Sequence, residues 1–263
     1  MRKFEGILIC SDFDGTLAVP GPTISRENAA AIRYFQDNGG LFTFASGRSP
    51  EFFGRFSHLQ ANAPIIAANG TMICDPNTFE KLAVYPLPDE AMPVLDALAA
   101  RPQTERMYLC DSFGQGIEWV KAEGKLPSVV FGAVTKPWFK VLLHQSEEDT
   151  VSLREYMQAT YADAFAINRS YTCGIELHAY GSGKGACLRA IRARDARIRL
   201  TIGVGDYEND ISLIQAADIG YAVENAHPAV KAAADRITVS CAEHAIANII
   251  ADLEASRRAR LEA

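Results

Sequence analysis

The chain lacks any apolar run approaching the ~18 residues that a membrane-spanning helix requires. No membrane association is expected of it. Its six cysteines (Cys10, Cys74, Cys110, Cys173, Cys187 and Cys241) contain no CxxC spacing, so they read as reduced residues rather than a disulfide framework or a zinc site. Positive charge is in deficit as well, with 26 Lys and Arg against 32 Asp and Glu and a net charge of −6. This disfavours bulk nucleic-acid binding, and an anionic ligand would need locally placed cations. Internal repeats and low-complexity tracts are absent. Met1-Arg2-Lys3 begins like an export signal, but Glu5 follows and the apolar run stops at Cys10, so the expected compartment is the cytoplasm. The expected state is a monomer or a small homo-oligomer.

What is present is an ordinary globular composition, 48% hydrophobic and 22% charged over 263 residues, enough for one large domain or two unequal ones. Ile7 to Cys10 reads as a buried strand that ends in Asp12-Phe13-Asp14-Gly15. The period of two sends Asp12 and Asp14 to one side of the strand's carboxyl end, where open α/β sheets place their ligands. Two such acids repel each other unless something positive lies between them, and a hard dication such as magnesium is the natural partner. A solvated Asp-Gly turn is the alternative at this stage.

Downstream, Ser25 is placed to cap a helix that Gly39-Gly40 stops. Leu41 to Ala45 reads as a strand running into Ser46-Gly47-Arg48, Ser49-Pro50 opens a further helix, and Ile65 to Ala68 reads as a third strand ending in Asn69-Gly70. The alternation predicts a parallel sheet wound with helices. From about Tyr85 the pattern becomes α+β. Strands are expected over Arg106–Cys110, Gly116–Val120, Phe139–His144, Ala164–Arg169 and Thr172–His178, with a helix over Glu147–Tyr161. The doubly wound rhythm returns after His178, with a helix from about Ala186, strands over Leu200–Val204, Ile219–Val223 and Ile237–Val239, and a helical tail. The fold expected is therefore α/β, a doubly wound parallel-sheet (Rossmann-like) core with an inserted α+β cap domain. The core is split over residues 1–84 and 181–263, and the cap spans 85–180 and is expected to act as a lid over the strand ends.

Singly, the later motifs carry little. Gly183-Lys184-Gly185 is no Walker loop, and Gly203-Val204-Gly205 is no dinucleotide fingerprint. Lys184 alone reads equally as a loop lysine, Ser46 as a turn serine, and Asp206 and Asp210 as ordinary acids at a helix start. As a set, however, Asp12, Asp14, Ser46, Asn69, Lys184, Asp206, Asn209 and Asp210 all fall at the carboxyl ends of expected parallel strands or in the loops that follow. Phosphoryl transfer asks for a nucleophile, a metal, a cation, fixed donors to the phosphoryl oxygens and an acid, and this set holds each of them.

The order Asp12-Phe-Asp14-Gly-Thr-Leu, Ser46-Gly47-Arg48, Lys184 and Gly205-Asp206-Tyr-Glu-Asn209-Asp210 resembles the four motifs of the haloacid dehalogenase-like phosphatase superfamily. The long insert, the Ala-Asn69-Gly70 step and the Glu176 strand before Gly-Ser-Gly-Lys184-Gly resemble its Cof-type sugar-phosphatase branch. The resemblance implies Asp12 as nucleophile, Asp14 as general acid and base, and Lys184 as the catalytic cation. It implies Ser46, Gly47 and Asn209 on the substrate phosphate, and magnesium held by Asp12, the Asp14 carbonyl and Asp206. Asp210 is implied either to reach the metal through water or to orient Lys184. Arg48, Asn69, Arg169 and Glu176 are candidate substrate contacts, with Trp119, Trp138 and Tyr180 as candidates to stack on a sugar. The activity implied is magnesium-dependent hydrolysis of small phosphorylated metabolites, sugar phosphates among them. A phosphomutase using the same aspartyl phosphate and a non-catalytic phosphometabolite sensor are the other readings.

Overall fold

The apolar run at the start of the chain has strand neighbours on both sides, and this fixes where its two terminal acids emerge. In the computed structural model, which describes residues 2–56, 61–110 and 116–262 and side chains as far as residue 256, Ile7–Ser11 lies inside a five-stranded parallel sheet. It pairs with Leu200–Gly205 on one side and Leu41–Phe44 on the other, and Ile219–Ala222 and Arg236–Ile237 extend the sheet beyond Leu200–Gly205. Leu8, Ile9 and Cys10 are wholly buried, as expected of a parallel strand whose two faces are both covered.

The helices follow the capping signals. Ser25 accepts a hydrogen bond from the Asn28 N–H at the start of Arg26–Asp37, and that helix packs on Ala245–Glu262. The helices Lys184–Arg194 and Ile211–Ala216 pack on each other, and the second lies on the Leu200–Gly205 strand.

Two expectations are corrected. The segment after Ser49-Pro50 is a 3-10 helix, Pro50–Phe56, rather than an α-helix. Phe52, Phe53 and Phe56 set their rings 5.4, 5.6 and 5.0 Å from that of Phe13, and a three-residue turn brings Phe53 and Phe56 to the same side. The third strand, Ile65–Ala67, joins the parallel sheet only through the bridge Ala45–Ile66, because the chain folds back at Ala68–Gly70 and pairs it antiparallel with Met72–Cys74. The segment around Pro20–Pro22 is the tip of a small hairpin, Ala18–Val19 with Thr23–Ile24.

The chain divides into two compact units, residues 1–82 with 184–263 and residues 83–183. In the second, an antiparallel sheet runs in the order Phe165–Tyr171, Gly174–Ala179, Lys140–His144, Arg106–Cys110, Gly116–Val120. Met107, Leu109, Val141, Leu143, Ile175 and Leu177 form its core with Leu95, Phe131, Leu153 and Met157. Trp119 and Trp138 belong to this core too, each 3% exposed with its indole N–H on a backbone carbonyl, so neither is a stacking platform. No helix among the described residues is long and apolar enough to cross a membrane.

The alternation that buries Ile175 and Leu177 puts Glu176 and His178 on the opposite face of the strand. Glu176 is ion-paired with Lys140 at 2.8 Å. His178 is fully buried between Asn168, 2.5 Å from Nε2, and Ser182, 2.6 Å from Nδ1. A neutral ring fits both neighbours: Nε2 accepts from the amide, and Nδ1–H donates to the Ser182 hydroxyl, which donates to the Ala179 carbonyl. Burial lowers the His178 pKa from 6.5 to about 4; Glu176 opposes the shift and Lys140 adds to it. A depressed histidine pKa gives stability that is complete above the unfolded value and is lost as pH falls through the folded one. The contribution of His178 to stability against urea is therefore expected to fall by on the order of 3 kcal/mol between about pH 6.5 and pH 4. His178→Asn is expected to remove that part of the slope; an unchanged slope in the variant refutes the assignment.

Candidate active site

Asp12 stands one residue beyond the Ile7–Ser11 strand, and its N–H still donates to the Val204 carbonyl of the neighbouring strand at 2.9 Å. Its side chain is thereby held at the carboxyl edge of the sheet, 9% exposed. Lys184, the first residue of its helix, reaches the same edge and places Nζ 2.6 Å from Asp12 Oδ1 and 2.5 Å from Asp210 Oδ1. The Lys184 side chain is 1% exposed. The other oxygen of Asp210 accepts the backbone N–H groups of Asp206 and Tyr207, which ties down the loop after Leu200–Gly205. Asp12, Asp206 and Asp210 each offer an oxygen, and these atoms lie within 4.8 Å of one another.

The charges in this cluster do not balance. Three carboxylates share one ammonium ion. Burial pushes the Asp12 carboxyl well above its ordinary 3.8, and the neighbouring Asp210 adds to the shift while Lys184 opposes it. Burial and Asp210 also raise Asp206 to about 7, against the hydrogen bond from Thr16 and the pull of Lys184. Burial alone would lower Lys184, but Asp12 and Asp210 overcome it and hold the amine protonated, well above 10.5. The cluster is short of positive charge and presents only carboxylate oxygens, the donors that suit a hard divalent cation. The residues present thus fit a metal ion.

The turn Asp14-Gly15-Thr16 completes the edge. Gly15 has φ +83°, and a Cβ there would stand 2.5 Å from Asp206 Oδ2, so only glycine lets the turn pass this close to the acid. Asn225 Nδ2 donates to the Gly15 carbonyl at 2.8 Å, and Thr16 Oγ1 donates to Asp206 Oδ1 at 2.9 Å. Neither Thr16 nor Asn225 was singled out in the sequence. The hydroxyl of Thr16 stood in plain view in Asp-Gly-Thr, whereas nothing local pointed to Asn225.

The other candidates fall into three groups. Asp14 accepts a two-pronged hydrogen bond from Arg48, 2.9 Å to Nε and 2.8 Å to Nη2, and the Arg48 guanidinium lies 4.5 Å from the Phe52 ring centre. Ser46 is buried at the end of the Leu41–Phe44 segment, with Gly47 exposed beside it, and Asn209 is tied to Asn69. Glu176 and Arg169 belong to the second unit, where Arg169 Nη2 donates to the Thr172 carbonyl across the turn between two strands.

Comparison with known proteins agrees with this arrangement. The family model of the haloacid dehalogenase-like hydrolases matches residues 9–112 and 130–250. The Bacillus subtilis 5-amino-6-(5-phospho-D-ribitylamino)uracil phosphatase YcsE is 26% identical over 245 residues, covering 92% of this chain and 94% of its own length. The Escherichia coli pyridoxal phosphate phosphatase YbhA is 24% identical over 266 residues, covering 92% and 97%. Among solved structures, a haloacid dehalogenase-like hydrolase from B. subtilis superposes with a TM-score of 0.77 at 22% identity, over 92% of this chain and 98% of that one. A sugar phosphatase of haloacid dehalogenase subclass IIB gives 0.73 at 19% identity, over 93% and 98%. The sheet order, the acid-lysine cluster at its carboxyl edge and the family match lead to one conclusion: the chain belongs to the haloacid dehalogenase-like hydrolases, in their Cof-type phosphatase branch.

Proposed function

We propose that this phosphatase hydrolyses small phosphorylated metabolites, sugar phosphates among them, through an aspartyl-phosphate intermediate and with magnesium bound. The observation that carries the reading is the buried Asp12–Lys184–Asp210 contact with Asp206 beside it. A binding site for a neutral ligand would have no reason to bury three acids around one amine. The named relatives act on a phosphoribitylamino-uracil, on pyridoxal phosphate and on sugar phosphates, which differ in their leaving groups and share a phosphate monoester.

In this reading an oxygen of Asp12 attacks phosphorus, the bond from phosphorus to the ester oxygen breaks, and Asp14 gives its proton to the departing alkoxide. Asp14, now a carboxylate, then takes a proton from water as that water attacks the aspartyl phosphate; the Asp12–phosphorus bond breaks, and inorganic phosphate leaves. Lys184 holds Asp12 in place and offsets charge on the phosphoryl group, with Asp210 orienting it through the 2.5 Å contact. Ser46 through its hydroxyl, Gly47 through its N–H and Asn209 through its amide hold phosphoryl oxygens. The two bonds from Arg48 occupy both carboxylate oxygens of Asp14, so at least one of them gives way for Asp14 to take up from solvent the proton that it then passes to the leaving oxygen. Asp12, Asp206 and the Asp14 carbonyl, with Asp210 nearby, would hold magnesium, whose chemistry is to neutralise charge on the phosphoryl group. Arg169 is proposed to contact the leaving group.

The test is release of inorganic phosphate from a panel of sugar and other metabolite phosphates. Release is expected to require added magnesium and to fall by on the order of 10⁴ in Asp12→Asn, which keeps the shape of the side chain and loses the nucleophile. Isomerisation without release would favour a mutase, and binding without turnover a sensor. Arg169→Ala is expected to alter the ranking of substrates; an unchanged profile removes that residue from the proposal. A stability measurement probes the charge cluster independently. Lys184→Met is expected to cost about 3 kcal/mol in urea unfolding because it leaves buried acids uncompensated, and Lys184→Met with Asp210→Asn is expected to recover part of that loss.

A further inference from the structure

Asn69 follows the Ile65–Ala67 strand in an unusual stretch of backbone. Ala68, Asn69 and Gly70 have φ of +49°, +58° and +85°, three left-handed residues in succession. Asparagine is the non-glycine residue that tolerates this region best, yet glycine would tolerate it better, so the backbone alone does not account for a side chain at position 69. Strain held in this way is a pointer to function when the surroundings show a use for it.

The surroundings show one. The Asn69 N–H donates to the Ser46 carbonyl at 2.8 Å and the Ala68 N–H to the Arg48 carbonyl at 2.9 Å, so the left-handed turn grips both ends of Ser46-Gly47-Arg48. The Asn69 side chain is buried against Gly47, where a Cβ would come within 3.1 Å of its amide nitrogen and 3.2 Å of its amide oxygen. That oxygen accepts a hydrogen bond from Asn209 Nδ2 at 3.1 Å. The carbonyl oxygen of Asn209 is buried without a hydrogen-bond partner among the described residues, so the bond to Asn69 is what sets the rotation of its amide. An amide nitrogen carries two protons, and with one on Asn69 the other is left for a ligand.

We propose that Asn69 is a positioning residue of the phosphoryl pocket. It holds the Ser46-Gly47 loop through its backbone and locks the Asn209 amide through its side chain, so that donors from two separate loops are set before the phosphate arrives. The inference rests on the reading that Ser46, Gly47 and Asn209 bind the phosphoryl group. It explains why asparagine and not glycine occupies the turn, and it gives Asn69 no contact with substrate. Donors fixed in advance stabilise charge that develops in the transition state without reorganising at that moment.

The experiment is a double-mutant cycle of Asn69→Gly and Asn209→Ala, assayed by turnover of p-nitrophenyl phosphate with magnesium and by inhibition with inorganic phosphate. Asn69→Gly keeps the left-handed turn and deletes the amide. It is expected to lower kcat/KM about tenfold and to weaken phosphate inhibition in parallel, the loss of one hydrogen bond that orients a donor to a charged group. Because Asn69 acts through Asn209, the double variant is expected to match Asn209→Ala within about twofold. Asn69→Asp keeps the acceptor and the shape; it is expected to bring kcat back to within about threefold of the wild type while its charge raises KM, and it serves as the folded comparison should Asn69→Gly be unstable. If Asn209→Ala is impaired while Asn69→Gly is fully active, or if the two losses multiply, the positioning role is overturned and the phosphoryl pocket stands. If Asn209→Ala is as active as the wild type, the pocket reading itself is overturned.

Discussion

Three acids around one buried amine are the constraint on which the rest of this structure depends. Like charges at that distance in a dry pocket are unstable, and the cluster persists because each member is fastened from a different direction. Asp12 hangs from a strand with neighbours on both sides, Lys184 opens a helix, and Asp210 closes its own loop by accepting two backbone N–H groups. The excess negative charge is then an available attraction. A phosphate ester would be repelled by the acids alone, and a dication changes the sign of the encounter.

The remaining polar groups of the first unit divide into those that hold and those that reach. Thr16 and Asn225 brace the turn after Asp12, and the left-handed stretch at Ala68–Gly70 braces the loop beginning at Ser46. Asp14 and Arg48 are different, with side chains 45% and 43% exposed and bonded to each other. They form the part of the site open to exchange, which the proposed acid-base role of Asp14 requires. The second unit has its own economy of charge, with Lys140 and Glu176 paired under cover and His178 kept neutral by its neighbours.

Much of this was legible in the chain. The strand ending in Asp12, the Ser25 cap and the alternating strands of the insert follow from periodicity and capping chemistry, and the structure has all of them. The signals failed where tertiary packing overrode them. Phe52, Phe53 and Phe56 wound a 3-10 turn around Phe13, which no local propensity announced, and Ile65–Ala67 kept one parallel bridge to Ala45 while taking Met72–Cys74 as an antiparallel partner after the left-handed turn. Trp119 and Trp138 looked able to face a sugar, but an aromatic residue in a strand does not declare which face of the sheet it serves. Asn69 was visible as a polar residue at a strand end; its bond to Asn209 spans 140 residues and could not be read from spacing.

The pairing of Ile7 with Leu200 has a consequence for how the molecule is made. On the ribosome the Ile7–Ser11 strand emerges long before Leu200–Gly205, one of its two partners, so that edge stays unpaired while the residues between them are made. The intervening unit, residues 83–183, is continuous and carries its own core, so it has what it needs to condense while the first strand is still half paired. Assembly of the acid-lysine cluster therefore waits for Leu200–Gly205 and the loop after it, and the repulsion among its carboxylates arises only together with the scaffold that contains it.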